Sequence, residues 1–359
     1  DLLDVGGGEL SLSARIRADL FALLVPHQEA RYKSLEDSLG KFADSYSLPA
    51  RIEVKAGIYR IEERDISTAR MCDRAFIAVE SIKGIFSKRL AYYDDSMRRK
   101  MLMEQKILDT MVESLLREDF LVYLQPKVQL GTGKMIGAEA LVRWRHPELG
   151  MISPAEFIPV FEKNGFIYSL DMYVCRKTCE ILKRWKETGM HGIPIAVNVS
   201  RMDIYHGDLP EQFGKLIETY GLKPQDLHLE ITESAYISDS QQLLAVVERL
   251  RDSGFVVEMD DFGSGYSSLN TLSELPIDVL KLDLKFLREE TETKRRHATM
   301  QAVINLALEL GLQVIAEGVE TKQQAQRLAL MGCQYAQGYY YGHPMPQEEF
   351  EEHFMDCCI

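Results

Sequence analysis

From residue 119 onward the chain repeats one pattern: a short apolar run, a polar turn, then a longer stretch with apolar residues at helical spacing. The runs read LVYLQP, MIGAEALVRW, IPIAVNVS, LHLEITES, FVVEMDDFG, DVLKLDL, LQVIAEGVE and YAQGYYYG. Brief apolar runs bounded by turns fit strands, and the stretches between them fit helices. A helix between two strands returns the chain to the same end of a sheet, so such strands pair in parallel. Eight runs of this kind in series predict an α/β fold, a (β/α)8 barrel of the TIM type, with a doubly wound open sheet as the alternative.

A different regime precedes them. From Asp94 to Glu118 the text has no Gly or Pro and places Met101, Ile107, Met111 and Leu115 at near-helical spacing, which predicts a long helix. Before it, ADLFALLVP and ARIEVKAGIY fit strands, and MCDRAFIAVESIKG fits a helix closed by Gly84. The expected organisation is a small α/β domain over residues 1–93, a connecting helix over 94–118 and the barrel domain over 119–359.

Composition narrows the function classes. The 359 residues are 46% apolar and 27% charged, which is globular material. No stretch approaches the roughly 20 consecutive apolar residues that cross a bilayer, and no basic segment followed by an apolar core opens the chain. A net charge of -13 disfavours binding to a nucleic acid polymer. A phosphate-bearing substrate must therefore be met by local cations, either basic residues or metals. Six scattered cysteines without a CxxC pair fit a reducing compartment, so the expected location is cytoplasmic, either free or as the cytoplasmic part of a longer sensor. Cys175 and Cys179, four apart on a helical pattern, are either packing residues or shared ligands.

The chemistry gathers at the ends of the barrel runs. They close on Gln125, Glu139, Asn198, Glu230, Asp260 with Asp261, Lys281 with Asp283, Glu317, and Gln337, and no histidine ends one. In a parallel barrel all C-terminal strand ends open on one face, so these side chains would converge. Clustered carboxylates repel and raise one another's pKa unless cations hold them ionised. Oxygen ligands without histidine or thiolate select Mg²⁺ or Mn²⁺ over zinc. Lys281, flanked by apolar residues, is either functional or paired with Asp283 at the barrel mouth. The segment Asp261-Phe262-Gly263-Ser264-Gly265-Tyr266 fits a mobile loop over the site.

Taken in order, YLQPKV, EALVRW, NVS, LEITES, DDFGSGYSSL, KLD, EGVE and QGYYYGHPM resemble the EAL domain of cyclic di-GMP phosphodiesterases, over Phe120 to Phe354. The resemblance implies metal-dependent hydrolysis of cyclic di-GMP to linear pGpG. It implies that Glu139, Asn198, Glu230 and Asp260 hold one ion, with Asp260, Asp261 and Glu317 holding a second. Lys281 and Asp283 would orient the attacking water, and Glu317 would assist removal of its proton. Gln125, Arg143 and Gln337 match positions that contact the dinucleotide, and Glu233 matches an anchor of the 261–266 loop, which in the family couples the metals to dimerisation. A homodimer through the EAL domain is the expected assembly. None of these positions departs from the family pattern.

The first domain resembles the C-terminal part of a GGDEF domain, through ADLFALLVP, IEVKAGIY, MCDRAFIAVESIKG and YYDDSMR. The signature turn departs from the pattern, reading Arg17-Ala18-Asp19-Leu20-Phe21 where the family carries Gly-Gly-Asp-Glu-Phe. A long cation replaces a glycine and Leu20 replaces an acid, so close phosphate approach and metal binding are both lost and cyclase activity is not expected. Two alternatives to the phosphodiesterase stand: a catalytically silent cyclic di-GMP receptor, and a barrel enzyme acting on another phosphodiester.

Overall fold

The computed structural model describes residues 11–45, 53–63, 65–189, 192–205, 208–233, 235, 240–263, 272, 275–284 and 294–354. Two compact units divide the chain, one ending at Asp109 and the other beginning at Thr110.

The first unit contains an antiparallel hairpin, β1 (Leu12–Arg17) and β2 (Leu20–Leu24), turned at Ala18 and Asp19. The turn thus falls inside the segment Arg17–Phe21 singled out in the sequence. Helix α1 (Glu29–Ser45) follows, then β3 (Ala56–Ile58), α2 (Thr68–Glu80) and β4 (Leu90–Tyr92). Strands β3 and β4 pair in parallel. Ala78 of α2, Ile82 and Ala91 of β4 form a small core, with Tyr93 and Met97 against it. Helix α2 stops earlier than the sequence pattern indicates: Ser81 caps it, and Gly84, at φ 79°, lies in the turn beyond. Helix α3 (Asp95–Leu116) matches the predicted long helix, and the boundary between the units falls within it.

The second unit is a closed barrel. Its strands are β5 (Phe120–Gln129), β6 (Met135–His146), β8 (Ile195–Val199), β9 (Leu227–Thr232), β10 (Val256–Phe262), β11 (Val279–Asp283), β12 (Gln313–Glu317) and β13 (Tyr335–Gln337). They pair in the order β5-β13-β12-β11-β10-β9-β8-β6, and a β5–β6 pairing closes the ring. Short strands β7 (Gly150–Ile152) and β14 (Met345–Pro346) add to β6 and β5 from outside it. The helices are α4 (Pro154–Asn164), α5 (Ile167–Glu187), α6 (Arg201–Tyr205), α7 (Leu209–Tyr220), α8 (Ser240–Asp252), α9 (Lys294–Glu309), α10 (Lys322–Leu330) and α11 (Gln347–Phe354).

One strand breaks the all-parallel expectation. Strand β5 runs antiparallel to both neighbours. No helix follows LVYLQP. Instead Leu130 to Lys134 turn the chain directly into β6, with Gly131 at φ 86° and Gly133 at φ 69°. A connection this short can only form a hairpin, because a parallel return needs a dozen or more residues. The absence of a histidine at a strand end also needs correction, because His146 ends β6. It lies seven residues past Glu139, buried, facing Thr110 Oγ1 at 3.1 Å and accepting from the Glu148 and Leu149 N–H groups at Nδ1. Its role there is structural.

Outside the barrel wall, Phe120 and Trp144 pack edge-on or tilted against Phe157 and Phe161 of α4, with Phe120–Trp144 centroids 4.8 Å apart. Each such pair contributes about 0.5–1.5 kcal/mol beyond its buried area. Cys175 and Cys179 are both free thiols buried on α5, and burial pushes Cys179 up to about 12. They pack as small apolar groups, not as thiolate ligands.

Candidate active site

Alternation along a strand turns every second side chain toward the barrel axis. Lys127 follows Gln125 on the same face of β5, Glu258 precedes Asp260 on β10, and Asp283 follows Lys281 on β11. Register then sets the lateral neighbours. Gln125 lies opposite Glu139, Asn198 beside Glu230, Glu230 beside Glu258, and Asp283 beside Glu317. Side chains spread over more than two hundred residues of sequence thereby meet.

Lys281 is at the centre of the cluster. Its Nζ lies 2.7 Å from Glu230 Oε2, 2.7 Å from Glu317 Oε1, 3.1 Å from Asp260 Oδ1 and 3.4 Å from Glu139 Oε2. Lys281 thus contacts four acids on four other strands. Burial lowers the Lys281 pKa, but Asp260, Glu139, Glu230 and Glu317 outweigh it and hold the ammonium charged well above its ordinary range. Asn198 Nδ2 donates to Glu139 Oε1 at 3.3 Å. Gln337 donates through Nε2 to Glu139 Oε2 and to Gln125 Oε1, and Gln125 Nε2 donates to the Gly342 carbonyl at 3.1 Å.

Lys281, even with Lys127 2.7 Å from the other oxygen of Glu230, cannot neutralise so many acids. Burial, then the Glu139 carboxylate, raise Glu230 well above the ordinary carboxylate range. Burial likewise pushes Glu317 up to about 8, against the pull of Lys281. Asp260 lies on the other side: burial opposes its charge, but Lys281 and the Asp261 N–H, 2.9 Å away, hold its pKa below the ordinary value. Without further cations the cluster is proton-hungry, the condition a divalent ion relieves. Asp260, Asp261 and Glu317 each present a carboxylate oxygen, and these oxygens lie within 4.8 Å of one another. The donors are all oxygen, which fits a hard cation. Gln337 Oε1, buried in the cluster, meets no donor among the described residues.

Asp261 adopts φ 58°, a left-handed conformation uncommon for a residue with a Cβ, directly after Asp260. Glu233 is buried, and its Oε2 accepts from the Gly263 N–H at 3.1 Å, tying the end of β9 to the start of the segment after β10. Ser264, Gly265 and Tyr266 of the proposed loop lie outside the described residues. Arg143 lies within electrostatic reach of Glu139. It donates to the Val142 carbonyl at 2.9 Å and lies over the Tyr123 ring, 5.5 Å from its centroid.

Three interior residues escape the strand-end reading: Lys127, His228 and Glu258. Lys127 Nζ lies 2.7 Å from Glu230 Oε1 and 2.6 Å from Glu258 Oε2, and His228 Nδ1 lies 2.7 Å from Glu258 Oε1. Their signal in the sequence is spacing, since each sits two residues from a strand-end candidate and so shares its face.

A family model for the EAL domain matches residues 108–344. Among curated proteins, the bifunctional diguanylate cyclase/cyclic di-GMP phosphodiesterase MucR of Pseudomonas aeruginosa is 33% identical over 341 residues, 94% of this chain and 50% of MucR. The cyclic di-GMP phosphodiesterase RocR of the same organism is 35% identical over 281 residues, covering 78% of this chain and 70% of RocR. The chain therefore spans about half the length of MucR. The solved PaMucR phosphodiesterase structure, a c-di-GMP complex, is 37% identical with a TM-score of 0.65, over 68% of this chain and 99% of that one. Barrel, acid cluster and relatives agree: the chain belongs to the EAL domain family.

Proposed function

We propose that the barrel unit hydrolyses cyclic di-GMP to linear pGpG with two Mg²⁺ or Mn²⁺ ions. The observation that carries this reading is the excess of buried acids around Lys281, which burial and mutual repulsion leave short of positive charge. Glu139, Asn198, Glu230 and Asp260 would hold one ion, and Asp260, Asp261 and Glu317 the other. When bound, the pair supplies Lewis-acid activation of water and charge stabilisation at the attacked phosphorus.

The chain's own residues do the rest. Gln125 and Gln337, tied to each other at 3.0 Å, and Arg143, held over Tyr123, would contact the dinucleotide. The Arg143 guanidinium donates in a plane suited to phosphate oxygens. Lys281 and Asp283, successive inward residues of β11, would orient the attacking water. Glu317 would accept a water proton as the water oxygen bonds to phosphorus. One P–O bond of the ring breaks, and its ribose oxygen leaves with the bonding electron pair and takes up a proton from solvent. Glu233 would anchor the segment that begins at Gly263.

The first unit would serve as a GGDEF-like structural or regulatory module without cyclase chemistry. Arg17 and Leu20 flank its hairpin turn in place of the glycine and acid that the chemistry needs, and the alignment with the bifunctional MucR covers 94% of this chain. A homodimer through the barrel unit is the proposed assembly. Among the described residues no helix is long and apolar enough to cross a membrane.

Incubation of the purified chain with cyclic di-GMP and Mg²⁺ or Mn²⁺, followed by chromatography, tests the reading. It requires pGpG. Cyclic di-GMP bound but intact with both metals would make the protein a receptor. Cleavage of a generic phosphodiester alone would point to another substrate.

A further inference from the structure

The proposed ligand Glu230 is fully buried, and Lys281 is shared among four acids. A second cation lies on the opposite side of Glu230. We propose that Lys127 is a positioning residue for the metal site: it fixes Glu230 through one carboxylate oxygen and leaves the other facing the acid cluster. The proposal rests on the reading of Glu230 as a metal ligand given above.

The two oxygens of Glu230 are held differently. Oε1 lies 2.7 Å from Lys127 Nζ, and Oε2 lies 2.7 Å from Lys281 Nζ, which also touches Glu139, Asp260 and Glu317. A cation entering among those acids competes with Lys281 for Oε2, while Lys127 remains on Oε1. Fixed in rotamer by Lys127, Glu230 then offers one defined oxygen. A ligand whose second oxygen is hydrogen-bonded is oriented before the ion arrives, which lowers the cost of binding.

Lys127 is itself held in place. Its side chain is 4% exposed, so its charge requires partners, and Glu258 supplies the second at 2.6 Å. The other Glu258 oxygen faces His228 Nδ1 at 2.7 Å, where the ring nitrogen donates because a carboxylate only accepts. The chain His228–Glu258–Lys127–Glu230 therefore sets the ammonium one layer beneath the proposed ligands. Register supports it independently, with Glu258 and Glu230 laterally paired on β10 and β9. If the Lys127 cluster were only a core ion pair, removing Lys127 would lower stability and leave the metal affinity of the folded protein unchanged.

The test measures Mn²⁺ binding to the metal-free full chain by electron paramagnetic resonance, without substrate, in wild type, K127M, K127R and the double variant K127M/E258Q. K127M should bind Mn²⁺ about 10–100-fold more weakly, the usual scale for losing an outer-sphere partner. The metal concentration for half-maximal turnover should rise by the same factor, with KM at saturating metal unchanged, and K127R should recover part of the loss. K127M/E258Q removes the stranded Glu258 charge along with the lysine and decides the matter if K127M does not fold. Wild-type Mn²⁺ affinity in K127M or in the double variant overturns the role of Lys127 alone. A wild-type chain that binds no Mn²⁺ overturns the ligand set and the proposal together.

Discussion

Lys281 and Glu317 meet diagonally: their side chains approach to 2.7 Å, although register sets Asp283, not Lys281, beside Glu317. The lysine starts one layer down and reaches toward the C-terminal strand ends, where it is the shared counter-ion of the acids. Lys281→Met should leave those acids without it. Removing one partner of a buried ion pair costs about 3–5 kcal/mol. Urea unfolding of metal-free K281M is expected to show a loss of that size, and Mg²⁺ or Mn²⁺ should recover part of it by binding the folded state. An unchanged midpoint in the metal-free variant would contradict the central place given to Lys281.

Metal binding should depend on pH through Glu317. In the metal-free chain its carboxyl titrates at about 8, raised by burial, so below that pH an incoming cation must displace a proton. Mn²⁺ affinity is expected to rise from pH 6 to about 8 and then flatten, with proton release detectable by calorimetry in buffers of different ionisation enthalpy. Glu317→Gln, which carries no such proton, should lose most of this slope along with affinity.

Asp171 offers a stability prediction away from the proposed chemistry. Burial, then the neighbouring Asp203 carboxylate, raise its pKa well above 3.8, while Asp203 Oδ2 accepts from the Ser200 N–H and hydroxyl at 2.6 and 2.7 Å. The folded state therefore holds the Asp171 proton more tightly than the unfolded chain. That contribution is full below the unfolded pKa and is lost as pH rises through the folded one. Unfolding free energy of the wild type minus that of Asp171→Asn should fall as pH rises above 4, by at most about 1.4 kcal/mol per pH unit for one proton. A flat difference from pH 4 to 8 would show that Asp171 ionises normally.

Gly338 follows Gln337 at φ 155°, and a Cβ built there falls on the Val319 backbone. Val319 is bonded on both sides of this contact, donating to the Gln337 carbonyl at 3.1 Å and accepting from the Tyr340 N–H at 3.0 Å. Gly338→Ala should push β13 away from the segment after β12 and displace Gln337, costing about 1–3 kcal/mol. Thermal unfolding measures the first effect. Titration calorimetry with cyclic di-GMP should show weaker binding from the second.

The alternation of apolar runs with helical stretches made a barrel the first expectation beside a doubly wound open sheet, and the β5–β6 pairing that closes the ring decides between them. The direction of β5 was not legible, because it depends on the short Leu130–Lys134 turn and not on its own residues. Strand ends pointed to Glu139, Glu230, Asp260, Lys281 and Glu317, which the fold brings around one ammonium. Lys127, Glu258 and His228 were passed over because attention to strand ends ignores the layer beneath them. Strand β1 was also missed, although Leu12, Ala14 and Ile16 alternate with polar residues, because a run of six with two arginines carries a weak apolar signal.

The most direct test is the rate of pGpG formation from cyclic di-GMP as Mg²⁺ or Mn²⁺ is titrated into metal-free protein, with Glu139→Ala beside the wild type. Wild-type product should appear only with metal, vanish on chelation and fall at least about 100-fold in the variant, the order of effect expected when a metal site loses a ligand. Product formed equally in the presence of chelator, or equally by Glu139→Ala, would contradict a metal-dependent hydrolysis built on this acid cluster.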